Sequence, residues 1–262
     1  MWGFTGSSLC HRESLEIMRA LSSAELLNVW ERGLAASPTQ RALTLLASAC
    51  PDTPPDTLAE LSIGQRDARL LTLREWTFGP QFVSTTVCPG CDERLELAFN
   101  VQDLRIADST GELADPLSLS VQDYEVRCRL PDSTDLAAIA HQPDVAAARQ
   151  ALLQRCVLSA RRRQEEVVAD QLPDEVVQAL VEKMAEADPL ANIVLAMSCP
   201  ACQQRWQAVL DIVAYFWSEL NAWALRLLRE VHTLAAAYGW AEAEIVAMGP
   251  ARRRIYLDMV SQ

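Results

Sequence analysis

Lysine is almost missing from this chain: Lys183 is the only one, and arginine carries nearly all the positive charge. With 23 basic residues against 35 acidic ones the formal charge is −12, which argues against a general affinity for nucleic acid, since phosphate binding rests on clustered Lys and Arg. No stretch stays apolar for the length of a membrane span, so no membrane partner is expected. The opening residues, Met1 to Arg12, lack the basic and apolar regions of a signal peptide, which makes a cytoplasmic location the expectation. Residues 1–17 read as a mobile leader, with Met18 an alternative start. GxSxG, HExxH, phosphate-loop and dinucleotide fingerprints are all absent. The three histidines, His11, His141 and His232, stand in unrelated segments with no ligand spacing to a partner. An enzyme therefore has no anchor in the sequence, and no catalytic residue is assigned.

What the chain does have is a repeated pattern, Cys88-Pro89-Gly90-Cys91 and Cys199-Pro200-Ala201-Cys202. Two residues between cysteines let both sulfurs of a tight turn point at one ion, and two such knuckles complete the tetrahedral shell that Zn2+ prefers. A shell of four cysteines leaves no open position, so Cys88, Cys91, Cys199 and Cys202 read as ligands of a structural zinc. Each knuckle is followed by a strand-like run, Leu95 to Phe99 and Trp206 to Ile212. A redox dithiol and a disulfide or unmetallated thiol set remain as competing readings. The loop from 92 to 198 is an allowed insertion, because closure entropy grows only logarithmically with length.

Around the knuckles the pattern is mostly helical. Leu26, Leu27, Trp30 and Leu34 have helical spacing after Ser22 and Ser23, and further helices are predicted over Gln40–Cys50 and Arg66–Thr77. Alternation in Tyr124, Val126, Cys128 and Leu130 predicts a strand paired with 117–121 across Gln122-Asp123. Helices are then expected over 133–140, 144–158 and 174–187, with a short helix over 190–197 leading into the second knuckle. A long helix over 215–238 ends at Gly239, followed by 241–248 and a last helix opened by Pro250. The fold class that results is α+β, mainly helical: a four-cysteine zinc ribbon with a long α/β insertion between its knuckles, flanked by helical terminal regions. Its expected divisions are a leader 1–17, an N-terminal helical region 18–80, a ribbon 81–213 with its insertion 103–195, and a C-terminal helical region 214–262.

Several other features have plain explanations. Arg161-Arg162-Arg163 is read as cations opposing the dipole at a helix C-terminus. Arg252-Arg253-Arg254 reads as an arginine-rich last helix facing water or a partner protein. Cys10, Cys50, Cys128 and Cys156 are scattered singly, as small apolar residues would be, and Trp217, Trp223 and Trp240 are expected to fill a core, some of them remaining possible interface anchors. Two further functions stay open on residues alone: a zinc-ribbon nucleic-acid-binding or regulatory protein using Arg252 to Arg254, and a dithiol redox enzyme.

One run of motifs carries a family resemblance. It starts at Leu61 to Leu71, with Leu73-Arg74-Glu75 and Phe78-Gly79, then the Cys88 knuckle and Tyr124 to Leu136. It continues through Ser198 and the second knuckle, Tyr238-Gly239-Trp240 and Glu244-Ile245 to Arg252 through Leu257. Over residues 58–260 this resembles the T4-like phage baseplate proteins, often labelled baseplate hub assembly chaperones, and their relatives in extracellular contractile injection system clusters. The resemblance implies a cytoplasmic assembly factor or minor baseplate component, with hub or spike proteins as partners and no catalytic residues. It fixes no oligomeric state.

Overall fold

Serine caps set the first helices. Ser22, Ser37 and Ser62 each accept the amide three residues on, while Glu25, Gln40 and Gln65 return a side-chain bond to the cap amide, so two orphan donors are satisfied at each start. Asp132 and Asp135 form the same reciprocal box farther along. The computed structural model describes residues 18–104 and 116–260. The expected leader, with Cys10 and His11, lies outside the described residues.

In chain order, α1 (Ser23–Gly33) and α2 (Pro38–Ala49) precede a short α3 (Pro55–Ala59) and α4 (Ile63–Phe78). A hairpin of β1 (Gln81–Val87) and β2 (Arg94–Asn100) follows, then α5 (Val101–Leu104). After it come β3 (Leu117–Val121), β4 (Tyr124–Cys128), α6 (Ser133–Ile139), α7 (Val145–Cys156), β5 (Val157–Arg162) and β6 (Glu165–Glu166). Next are α8 (Asp174–Ala187) and a 3₁₀ turn (Pro189–Ala191), then a second hairpin, β7 (Ile193–Ser198) with β8 (Arg205–Leu210). The chain closes with α9 (Ile212–Tyr238), α10 (Glu242–Ala247) and α11 (Pro250–Val260). The mixed, mainly helical α+β class expected from the sequence is what the structure has.

The chain divides into two compact units, residues 1–54 with 212–262, and residues 55–211. The first is helical. Its core is Leu26, Val29 and Trp30 of α1, Ala42, Leu45 and Leu46 of α2, and Phe216, Leu220, Ala224 and Leu227 of α9, all buried. Trp30 Nε1 donates to Asn221 Oδ1 at 3.0 Å. The Trp217 indole lies so close to Gly33 that a Cβ there would come within 2.1 Å of it, and the Arg41 guanidinium sits 4.4 Å from the Trp217 ring centroid. Gly239 ends α9 at φ 70°, a left-handed conformation that glycine adopts without strain.

The second unit holds a four-stranded antiparallel sheet in the order β3-β4-β5-β6, with α8 laid against one face. Leu117, Tyr124, Val126 and Ala160 from the strands meet Leu172, Val176, Val177 and Leu180 in its core. The β3–β4 hairpin pairs as expected, with Gln122 in the left-handed turn at φ 53°. Beside it Asp135, whose side chain is fully buried, takes Arg129 at 2.6 and 2.8 Å and Arg155 Nε at 2.6 Å. Burial would raise this carboxyl, but the two arginines and the Asp132 amide hold it at about 2.

Two expected elements are corrected. The predicted helix over 190–197 is a 3₁₀ turn and strand β7, because Ile193 to Ser198 pairs along its whole length with β8. The helix predicted through Leu158 stops at Cys156, since Val157 to Arg162 pairs with β4. Arg161 and Arg162 therefore belong to a strand, and Arg163 to a left-handed turn at φ 58°, not to a helix C-terminus.

Candidate metal centre

Each knuckle is the turn of an antiparallel hairpin. β1 and β2 are in register from Gln81↔Asn100 to Val87↔Arg94, and β7 and β8 from Ile193↔Leu210 to Ser198↔Arg205. The six residues between the strands repeat one backbone pattern. The Cys88 amide donates to the Glu93 carbonyl and the Cys199 amide to the Gln204 carbonyl, both at 2.9 Å. The Asp92 and Gln203 amides donate back to the carbonyls of Cys88 and Cys199 at 3.0 and 2.9 Å, and both residues are left-handed, at φ 58° and 61°. Both positions carry polar side chains rather than glycine, so the repeat is invisible to a search for turn glycines.

These two turns bring the four cysteine sulfurs within 4.8 Å of one another. Cys88 Sγ lies 3.6 Å from Cys202 Sγ, and Cys91 Sγ 3.6 Å from Cys199 Sγ, so each close pair joins the two knuckles. A tetrahedral shell with Zn–S bonds of about 2.3 Å places its sulfurs about 3.8 Å apart, so the donor set and its spacing fit such an ion. Cys88 and Cys199 are buried, whereas Cys91 and Cys202 reach the surface. The Gly90 amide donates to Cys88 Sγ at 3.4 Å. A Cβ on Gly90 would stand 3.3 Å from the Gln204 side chain and 3.6 Å from Cys202 Sγ, so the knuckles are already in contact there.

Four thiolates this close repel one another unless a cation balances them, and the thiols respond unequally. Amides of Cys202 and Ala201, aided by the neighbouring thiols and opposed by burial, lower Cys199 to about 7. At Cys91 the Glu93 amide favours the thiolate, but Cys202, burial, Cys199 and Cys88 together push the thiol up to about 12. Cys202 is raised as well: its Gln204 amide and Cys91 pull the other way, against burial, Cys88 and Cys199.

Helix α4 roots both hairpins. Near its C-terminus the fully buried Arg74 donates to the Gly79 carbonyl at 2.8 Å and lies 4.1 Å from the Phe82 ring centroid, while Phe82 stacks on Phe99 at 5.0 Å. Near its N-terminus the 3₁₀ turn that enters β7 packs against it, and Asp188 Oδ2 accepts the Gly64 amide at 2.9 Å. This common support was missed in the sequence, where Arg74 and Asp188 look like ordinary surface charges. Their only signal was their place, one just before the first hairpin and one just before the second.

The other candidates fall apart spatially or turn inward. His141 and His232 are exposed on separate units, and His11 lies outside the described residues. Arg253 is buried and pairs with Glu230 at 2.8 Å, which corrects the expectation that the whole Arg252 to Arg254 run faces outward. Trp217 is buried, while Trp223 is half-buried and Trp240 stacks on Tyr238 at 4.5 Å. Cys50, Cys128 and Cys156 are buried, and burial with the nearby Asp135 pushes the Cys156 thiol up to about 12. Among the described residues no helix is long and apolar enough to cross a membrane.

The model of the family described as T4 bacteriophage base plate protein matches residues 31–217, a span that includes both hairpins and all four cysteines. The chain belongs to that family. Neither a curated protein nor a solved structure matches it.

Proposed function

We propose that this chain is a non-enzymatic, protein-binding assembly factor or minor component of the baseplate hub, in a contractile phage tail or a phage-tail-like injection system. A structural zinc on Cys88, Cys91, Cys199 and Cys202 makes its second unit a ribbon with a long insertion. The observation that carries the reading is the closed donor set within a chain of the baseplate family: four sulfurs converge, and each belongs to a turn whose amides already favour thiolates. Zinc bound there would neutralise the thiolates and tie the hairpin tips together, leaving no coordination position for a substrate. The residues do the rest, with α4 holding the hairpin bases through Arg74 and Asp188.

Hub or spike proteins of the same particle are the partners this reading names, and the cytoplasm is where assembly takes place. Nucleic-acid binding has less to stand on: with Arg253 engaged by Glu230, only Arg252 and Arg254 of the triplet are left to meet phosphate. Co-expression with the sheath, tube, hub and spike proteins of its own gene cluster tests the proposal. The tagged chain is expected to retain a hub or spike protein through purification at moderate salt; retention of no baseplate component would sink it.

A further inference from the structure

Helix α11, beyond the family-matched span, presents an unusual stripe to solvent. Arg252, Ile255 and Met259 fall at positions i, i+3 and i+7, hence on one face, and Ile255 and Met259 are 56% and 57% exposed. Arg252 caps the stripe, its guanidinium 5.7 Å from the Tyr256 ring centroid, and Arg254 flanks it; neither has an ion-pair partner among the described residues. Asp258 lies one turn after Arg254 and Glu244 lines the groove beside Arg252, so the stripe's charge is modest and local.

A counterpart lies on the other unit. Helix α8 exposes Asp174, Glu175, Gln178, Val181 and Glu182 along one side, with Val181 42% exposed at its middle. Glu175 is held by the Gln122 amide at 2.6 Å and Glu182 by the Gln178 amide at 3.0 Å. Both carboxylates are therefore oriented by neutral donors and form no ion pair among the described residues. Arg149 lines the same groove but forms no ion pair with them. The wider charge distribution agrees. Described residues of the α11 unit carry eight arginines and eight carboxylates, whereas those of the α8 unit carry thirteen basic residues against twenty-two acidic ones.

We propose that α11 docks onto the α8 groove of a second copy of this chain. Ile255 and Met259 cover Val181, Arg252 and Arg254 meet Glu175 and Glu182, and the charges choose the partner while the apolar residues supply the burial. The two surfaces are different, so the contact is heterologous and repeats from copy to copy until a ring closes or the chain of contacts stops. This goes beyond the hub-assembly reading and does not depend on zinc.

Sedimentation velocity of the full chain across micromolar to submillimolar protein tests it. The native chain is expected to associate at low salt and to dissociate as salt rises. Arg252→Glu with Arg254→Glu is expected to abolish association, as is Glu175→Arg with Glu182→Arg, each variant keeping the native circular dichroism spectrum. Mixing the two variants in equal amounts is expected to restore association, because both contacts between them are again of opposite charge. A native chain that stays monomeric, a variant that associates as the native chain does, or a mixture that stays monomeric would each overturn the proposal. So would a monomeric chain whose Arg252→Glu, Arg254→Glu variant loses a co-expressed baseplate protein, since α11 would then serve a different partner.

Discussion

Asp188 accepts the Gly64 amide through Oδ2 at 2.9 Å, across 124 positions of sequence, and its Oδ1 occupies the space a Gly64 side chain would need. The carboxylate thereby satisfies a donor at the start of α4, where helix amides otherwise lack partners. A Cβ at Gly64 would lie 1.8 Å from Asp188 Oδ1. Position 64 is a glycine for want of space, and the acid is there because the amide needs an acceptor.

Removing that acceptor gives the first prediction. Asp188→Ala leaves a buried amide unpaired and is expected to cost about 1–3 kcal/mol of unfolding free energy, measured by chemical denaturation. Asp188→Asn keeps a carbonyl oxygen in place and is expected to cost less. Gly64→Ala is expected to be as damaging as Asp188→Ala or more so, because the backbone must move. Equal, negligible effects of Asp188→Ala and Gly64→Ala would show that the contact carries no stability.

The second prediction concerns pH, where two buried carboxyls act in opposite directions. Asp67 is raised to about 6, first by burial and further by Asp211 and Asp188, against the pull of Arg66 at 2.7 Å. It holds its proton more tightly when folded, so its stabilisation is present below about pH 4 and is lost as pH rises through about 6. The swing amounts to about 3 kcal/mol. Asp135, held at about 2, contributes stability above about pH 4 that is lost as pH falls toward 2. Unfolding free energy is therefore expected to peak near pH 4 in these two contributions. Asp67→Asn should flatten the slope between pH 4 and 6. Asp135→Asn should flatten the acid limb and cost about 3 kcal/mol at neutral pH, since Arg155 loses its counter-charge and Arg129 keeps only Asp132.

Metal content is the third. Elemental analysis of protein purified without added metal is expected to give close to one zinc per chain, and Cys199→Ser or Cys88→Ser to reduce it sharply. Chelator is expected to lower the thermal midpoint of the native chain and to leave that of the serine variants unchanged, because metal binding and folding are linked. A metal-free chain with the same midpoint would remove the structural role, and turnover of a disulfide substrate by thiols that retain no zinc would replace it with a redox one.

Much of this arrangement is legible in the sequence where local chemistry decides. Ser22 and Asp132 mark helix starts by capping, whereas the second helix begins at Pro38 behind Ser37 rather than at Gln40, and the cysteine spacing announces a two-knuckle cluster. Where pairing across the chain decides, local reading fails. Ile193-Val194-Leu195-Ala196-Met197 is a short apolar run that periodicity cannot assign, and it becomes a strand because Ala208, Val209 and Leu210 lie opposite. Val157 and Leu158 continue a helical pattern but are taken by β4. The run Phe82 to Val87 is rich in β-branched residues, and its register with β2 is what delivers Cys88 to the turn. That Cys88 comes within 3.6 Å of Cys202 and Cys91 within 3.6 Å of Cys199 depends on how the two hairpins lean, which no spacing rule contains.

The helical unit is built from two stretches of chain, α1 and α2 at one end and α9 to α11 at the other, with the whole cysteine-bearing unit between them. During synthesis, Trp30, Leu45 and Leu46 leave the ribosome long before the Phe216 and Leu220 that will cover them. At about 5–20 residues per second that interval lasts roughly ten to forty seconds. The inserted unit is complete once Asp211 has emerged, ahead of α9 to α11, so the order of birth lets the cysteine-bearing unit be the earlier of the two to mature. The α1–α2 pair must wait, its apolar face open to chaperones or to neighbouring nascent chains.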